Sequence, residues 1–200
     1  MKSTIDYYNK TAQSQADNLY GDEAMLPYLK AFLDYLPKNP KILDLCCGLG
    51  HECMRLNKLG AEVIGLDLSE QSIKIAKEMN PNLRFFVQNM LEDYSYVGRV
   101  DGVLCCAGLI HLNNEEMAIA FKQIDKVLKK GGYVHMVVRD GICKNPERAY
   151  EAIDGEARHG GDFICHTLDE VRTACKGVLA LVKELSSKSG NDWRYYIFKK

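Results

Sequence analysis

The sequence predicts an α/β fold, a doubly wound and mostly parallel seven-stranded sheet with an antiparallel closing strand. Three observations lead there. Seven short apolar runs lie along the 200 residues, bounded by turn residues, and most are separated by amphipathic helical patterns. Alternation of this kind forces parallel pairing, because each crossover needs a helix to return the chain. The last two runs have no helix between them, so one of the two must run antiparallel.

The elements are taken in chain order. Asp22 is placed to cap a helix with Met25, Leu29, Phe32 and Leu36 on its apolar face, stopped by Pro37. Residues 41–46 read as a strand, then come a glycine turn and a helix ending at Gly60. Residues 61–66 form the second strand. Ser69 then caps a helix that turns Ile73, Ala76 and Met79 inward and ends at Asn80-Pro81. Residues 83–88 and 100–106 read as two further strands. Asn113, with Glu116 three residues on, opens a helix whose Met117, Phe121, Ile124 and Leu128 share one face, with Gly131-Gly132 as its expected close. Residues 133–138 are a buried strand. Thr167-Leu-Asp-Glu170 is a capping box, and residues 178–185 and 193–198 read as a closing hairpin around 186–191. Residues 141–166 fit no element, and a long segment there suits a lid or substrate loop.

Composition narrows the function classes. With 46% hydrophobic and 26% charged residues the chain is neither disordered nor fibrous. No apolar run approaches the roughly eighteen residues of a membrane span, and the first residues carry no apolar signal-peptide core. Twenty-six Lys and Arg against 27 Asp and Glu leave a net charge of −1, which disfavours nucleic acid as a partner. Eight cysteines stand at 46, 47, 53, 105, 106, 143, 165 and 175 with no Cys-x-x-Cys. They lack structural-zinc spacing, no metal site is expected, and without an export signal they read as reduced thiols of a cytoplasmic protein, mostly buried.

In a doubly wound sheet the ligand lies beyond the carboxyl ends of the strands, where the winding reverses. The first strand runs into Asp44-Leu-Cys-Cys-Gly-Leu-Gly50, where Gly48 and Gly50 permit a tight turn and a close ligand. The second strand ends in Leu66-Asp67-Leu68-Ser69, which offers a carboxylate for the two hydroxyls of a ribose. A dinucleotide fold wants a third glycine, but the template places Cys53 there and gives no reason for an acid at position 44. S-adenosylmethionine carries an ammonium and a sulfonium and no pyrophosphate, so an acid before the turn suits it better.

With those residues in view, the sequence resembles the class I S-adenosylmethionine-dependent methyltransferases, particularly small bacterial ones sharing a domain with quinone-biosynthesis enzymes. Ile42-Leu-Asp-Leu-Cys-Cys-Gly-Leu-Gly50 is similar to their first motif, and Val63-Ile-Gly-Leu-Asp-Leu-Ser69 to the ribose-binding strand end. Phe86-Val-Gln-Asn-Met90 resembles the segment along the adenine. Arg99-Val-Asp-Gly-Val-Leu-Cys-Cys106 with Ile110-His111-Leu112 resembles the fourth strand and the post-strand segment, and Leu128-Lys-Lys-Gly-Gly-Tyr133 the turn before strand five. The likeness covers about residues 5–140, and the last sixty in outline.

The resemblance implies a Rossmann-like methyltransferase fold and a set of roles. Asp44 would engage the methionine ammonium, with the backbone from Cys46 through Gly48 to Gly50 along the methionyl part. Asp67 would take the ribose hydroxyls, Leu68 would pack on adenine, and Met90 would cover it. Asn89 stands where an acid is common, and Cys106 would present its carbonyl near the ammonium. Cys46 replaces the usual first glycine. Tyr8, His111 and the insertion would line the acceptor pocket, with His111 as candidate base because histidine titrates near neutral pH. A single domain is expected: an N-terminal helical cover at 1–37, a cofactor-binding core at 38–140, a substrate lid at 141–166, and a closing helix and hairpin at 167–200.

The expected activity is methyl transfer to a small-molecule acceptor by in-line displacement. No Asn/Asp-Pro-Pro-aromatic signature of amino-methylating nucleic-acid enzymes stands after strand four, where the residues are Cys106-Ala107-Gly108. An NAD-dependent oxidoreductase on a Rossmann core, and a non-catalytic S-adenosylmethionine-binding protein, are the alternatives. The plainer readings stand beside these. Tyr7 and Tyr8 could pack an N-terminal helix, His111 could simply precede the next helix, and His159 and His166 are expected to be solvated.

Overall fold

In β1 (Lys41–Leu45), Ile42 and Leu43 point to opposite faces of the sheet and both are fully buried. That alternation divides the interior into two cores, one on each face. This computed structural model describes residues 2–139, 164–186 and 193–200. On one face, α2 (Leu26–Leu33), α3 (His51–Lys58) and α4 (Glu70–Met79) bring Phe32, Leu56 and Ile73 against Ile42, Val63 and Leu104. On the other, α5 (Asn114–Val127) and α6 (Leu168–Ala174) bring Phe121, Ile124 and Val171 to the side of Leu43, Ile64 and Val103.

The remaining strands are β2 (Glu62–Asp67), β3 (Arg84–Val87), β4 (Val100–Cys106), β5 (Leu128–Arg139), β6 (Ala180–Leu185) and β7 (Trp193–Lys199). Their order across the sheet is β3-β2-β1-β4-β5-β7-β6. The first five pair parallel, and β7 runs antiparallel to both neighbours. The winding reverses between β1 and β4. A first helix, α1 (Lys2–Leu19), packs Ala12 and Ala16 against Leu49 and Ile75.

Three capping expectations agree with the structure. Ser69 accepts from the Ser72 amide, and Asn113 and Thr167 each close a capping box with Glu116 and Glu170. Other expected boundaries differ. Asp22 is not a helix cap: its carboxylate accepts from the Ala24 amide at 2.8 Å in a turn, and α2 begins after Met25 and ends well before Pro37. Gly131-Gly132 does not close α5. The helix stops at Val127, and the glycine pair lies inside β5, where its backbone pairs with Lys200. Of residues 141–166, only 164–166 are described, and they lie against the turn after β4: the Ile164 amide donates to the Ile110 carbonyl. The rest of the expected lid, with His159, and the turn at 187–191 fall outside the described residues.

Candidate functional site

β1, β2 and β4 end at the same edge of the sheet, and a cavity of about 430 Å³ opens beyond them. Asp44, near the end of β1, is 1% exposed and accepts a hydrogen bond from the Cys53 thiol at 3.1 Å. Burial raises its carboxyl to about 7, the negative charges of Glu52 and Asp67 add to that, and the Cys53 thiol opposes it. Asp67, at the end of β2, braces the glycine turn. One carboxylate oxygen accepts the Gly48 amide and the other the Ser69 amide, each at 2.8 Å. Burial raises this carboxyl too, against the lowering effect of those amides.

The two glycines serve different ends. Gly48 has φ +52°, and a Cβ built on it would meet nothing within 4 Å, so its bare backbone forms part of the cavity wall. Gly50 is not part of that wall. It is the left-handed N-cap of α3, its amide donates to the Cys47 carbonyl, and a Cβ there would stand 2.9 Å from the Phe85 ring. Its glycine serves helix–strand packing. Cys46 takes the left-handed conformation (φ +67°) open to the glycine usual at that position, at a cost of roughly 1–2 kcal/mol.

Of the other expected site residues, Cys46, Leu68, Asn89, Met90 and Cys106 all line the cavity. Asn89 spends its side-chain oxygen on the Leu91 amide at 3.0 Å, which holds the turn after β3. The Cys46 thiol touches the Met90 sulfur at 3.4 Å. Burial pushes the Cys46 and Cys106 thiols well up, so neither is poised as a thiolate. One cysteine departs from expectation: Cys165 is disulfide-bonded, whereas the six described free thiols cluster at the strand ends and in α3 and α6. Cys165 is half-buried within the 141–166 segment, between Ile164 and His166, which both bond to the turn after β4. His166 is likewise not solvated. It is fully buried, with Nε2 3.1 Å from the Leu109 carbonyl.

Tyr8 and His111 both line the cavity, and the Tyr8 hydroxyl lies 3.2 Å from His111 Nε2. α1 is held over the opening by Asn9, whose side-chain oxygen accepts from the Ser69 hydroxyl at 2.7 Å and the Gln71 amide at 3.2 Å. Beyond Tyr8, this expected cover also brings Thr4, Ile5, Gln15 and Asn18 to the wall, residues that sequence reasoning did not single out. Sequence reasoning missed Glu52 as well, whose only local sign was an acid in the first turn of the helix after the glycines. Among the described residues, three carboxylates and no lysine or arginine line the cavity.

Residues 42–132 match the family model described as a methyltransferase domain. Over that region, just under half of the chain, the sequence is similar to a methyltransferase domain. The region matched by the methyltransferase-domain model holds Asp44, Gly48, Asp67, Met90, Cys106 and His111, whereas Tyr8 and the rest of α1 lie outside it. Two relatives bear on it. A putative methyltransferase of Bacillus subtilis (strain 168), YqeM, is 37% identical over 102 residues, which is 48% of this chain and 41% of that protein. A demethylmenaquinone methyltransferase of Chlorobaculum tepidum is 34% identical over 112 residues, 54% of this chain and 46% of that one. The chain thus spans less than half the length of these relatives. Among solved structures, magnesium protoporphyrin IX methyltransferase from Synechocystis PCC 6803, with bound SAM, superposes with a TM-score of 0.73 at 17% identity, covering 100% of this chain and 97% of that one. That likeness carries the fold. No helix among the described residues is long and apolar enough to cross a membrane.

Proposed function

We propose that this protein transfers the methyl group of S-adenosylmethionine to a small-molecule acceptor. The observation that carries the reading is the pair of carboxylates, Asp44 and Asp67, on one cavity wall with the bare Gly48 backbone between them. A buried acid at Asp44 meets a cationic methionine end, and an acid at the end of β2 meets a ribose diol. The cavity volume lies within the usual range for small-ligand sites. Leu68 and Met90 supply apolar cover for an adenine, with Asn89 beside them.

When bound, S-adenosylmethionine supplies an electrophilic methyl on a sulfonium. The work left to the chain is in-line placement of the acceptor and exclusion of water. We assign the acceptor side to Tyr8, His111 and the loop after β4. Where the acceptor atom carries a proton, the imidazole of His111 receives it, and Tyr8 orients the ring through its hydroxyl. The 1–37 segment acts as a cover and the 141–166 segment as the acceptor-side lid. Demethylmenaquinone methyltransferase among the relatives supports a small organic acceptor, and the near-neutral charge balance speaks against nucleic acid.

Isothermal titration with S-adenosylmethionine, S-adenosylhomocysteine and NAD tests the proposal. The first two are expected to bind and NAD to bind negligibly. Tight NAD binding with neither of the others would overturn it in favour of the oxidoreductase reading.

A further inference from the structure

Glu52 is the second residue of α3, a position where an acid usually sits in solvent and complements the helix dipole. Here it is 5% exposed. Its Oε1 accepts from Arg55 at 3.0 Å, and Arg55 in turn donates through its other terminal nitrogen to the Leu19 carbonyl at 2.6 Å. Its Oε2 is buried in the cavity wall and accepts no hydrogen bond among the described residues. A carboxylate present only to hold Arg55 would leave that oxygen unsatisfied at a site from which water is largely excluded.

The surroundings say what would satisfy it. Asp44 lines the same cavity and is close enough for the negative charge of Glu52 to oppose its ionisation. The third acid, Asp67, already spends both oxygens on backbone amides of the turn. Among the described residues no lysine or arginine lines the cavity, Arg55 answers only Oε1 of Glu52, and the neighbouring His51 is held neutral by burial, its pKa lowered to about 4. Two buried carboxylates line one cavity, and the Glu52 oxygen that Arg55 leaves unused suits a cation that brings its own hydrogen-bond donors.

We infer that Glu52 is a second anionic contact for the ligand's ammonium group, so that Asp44 and Glu52 hold that ammonium from two sides. The inference rests on the cofactor reading above and adds a specificity determinant to it. Nucleosides that lack the ammonium gain nothing from Glu52, and the site distinguishes the intact cofactor from its nucleoside fragments by charge. Through Arg55 the same carboxylate also anchors the end of α1, so the contact sits where the helical cover meets the ligand.

The test is Glu52→Gln, which keeps the shape and an oxygen for Arg55 while removing the charge. Binding of S-adenosylhomocysteine and of 5′-methylthioadenosine, which has the nucleoside and thioether but no ammonium, is measured by isothermal titration. S-adenosylhomocysteine is expected to weaken about tenfold or more, the scale of a lost charge-assisted hydrogen bond, and 5′-methylthioadenosine by less than about twofold. No change in either, or equal loss of both, would overturn the inference and leave Glu52 a purely structural partner of Arg55. Wild-type protein that binds neither ligand would instead overturn the cofactor reading, and this inference with it. Should Glu52→Gln fail to fold, Glu52→Gln with Arg55→Met removes both buried charges together and is read by the same selective loss.

Discussion

The Tyr8 hydroxyl lies 3.2 Å from His111 Nε2, and the two rings meet edge to face with centroids 5.6 Å apart. One residue comes from α1 and the other from the turn directly after β4, so the side of the cavity proposed for the acceptor closes where the N-terminal helix meets the sheet edge. His111→Asn is expected to lower methyl transfer by about a hundredfold or more where the acceptor is protonated, and Tyr8→Phe by less. S-adenosylhomocysteine binding should change by under about twofold in both. Release of S-adenosylhomocysteine across a panel of small hydroxyl and amino acceptors, set beside binding isotherms, checks this. Full turnover in His111→Asn would remove the histidine from the reaction.

Asp67→Ala is expected to weaken S-adenosylmethionine binding by about 2 kcal/mol, the scale of a charge-assisted hydrogen bond. It also strips the Gly48 and Ser69 amides of their acceptor, so the melting temperature of the free protein should fall as well. Titration calorimetry and thermal denaturation read the two effects separately. Unchanged affinity would show that the ribose is held elsewhere.

Binding should depend on pH through Asp44. Its carboxyl sits at about 7 in the free protein, and an ammonium ligand favours the ionised form. Affinity for S-adenosylhomocysteine is therefore expected to fall about tenfold between pH 8 and pH 6, with proton release on binding near pH 6. The stability of the free protein has the opposite slope. The folded carboxyl titrates above its unfolded value of 3.8, so the stabilisation is present below about pH 4 and is lost as pH rises towards 7. Asp67 and Glu52 shift in the same direction. Asp44→Asn should flatten both profiles, and a pH-independent isotherm in the wild type would contradict the assignment.

The two glycines of the turn should separate in their effects. Gly50→Ala drives a methyl group towards the Phe85 ring and Ala76 from a left-handed backbone, and should destabilise by roughly 2–3 kcal/mol. Gly48→Ala meets no protein atom within 4 Å, so its stability cost should stay at about 1–2 kcal/mol of backbone strain while ligand affinity falls. Denaturation midpoints and isotherms for the two variants distinguish packing from ligand access. Equal behaviour would mean that both glycines serve the same purpose.

Much of this was legible in the sequence because it is local. Alternating apolar residues marked the strands, Ser69, Asn113 and Thr167 marked helix starts, and Asp44, Gly48 and Asp67 stood at the strand ends where a doubly wound sheet binds its ligands. Asp22 and Gly131-Gly132 misled for the same local reason. Each is a good helix signal whose hydrogen-bonding groups were claimed by another partner, the Asp22 carboxylate by the Ala24 amide and the backbone of the glycine pair by Lys200. Gly50 has the spacing of a ligand glycine, but its use is set by Phe85, which belongs to β3.

The sequence by itself determined the order of strands and helices, the position of the switch point and the two acids that flank the glycine turn. Periodicity and turn chemistry act over a few residues and need no knowledge of the rest of the chain. Only the tertiary structure decided which side chains of α1 line the cavity, that Tyr8 reaches His111 across 103 positions, and that Glu52 is buried with one oxygen unused among the described residues. Those facts depend on which surfaces the crossovers bring together. Burial, and with it the raised carboxyl of Asp44, is a property of that assembly rather than of any segment within it.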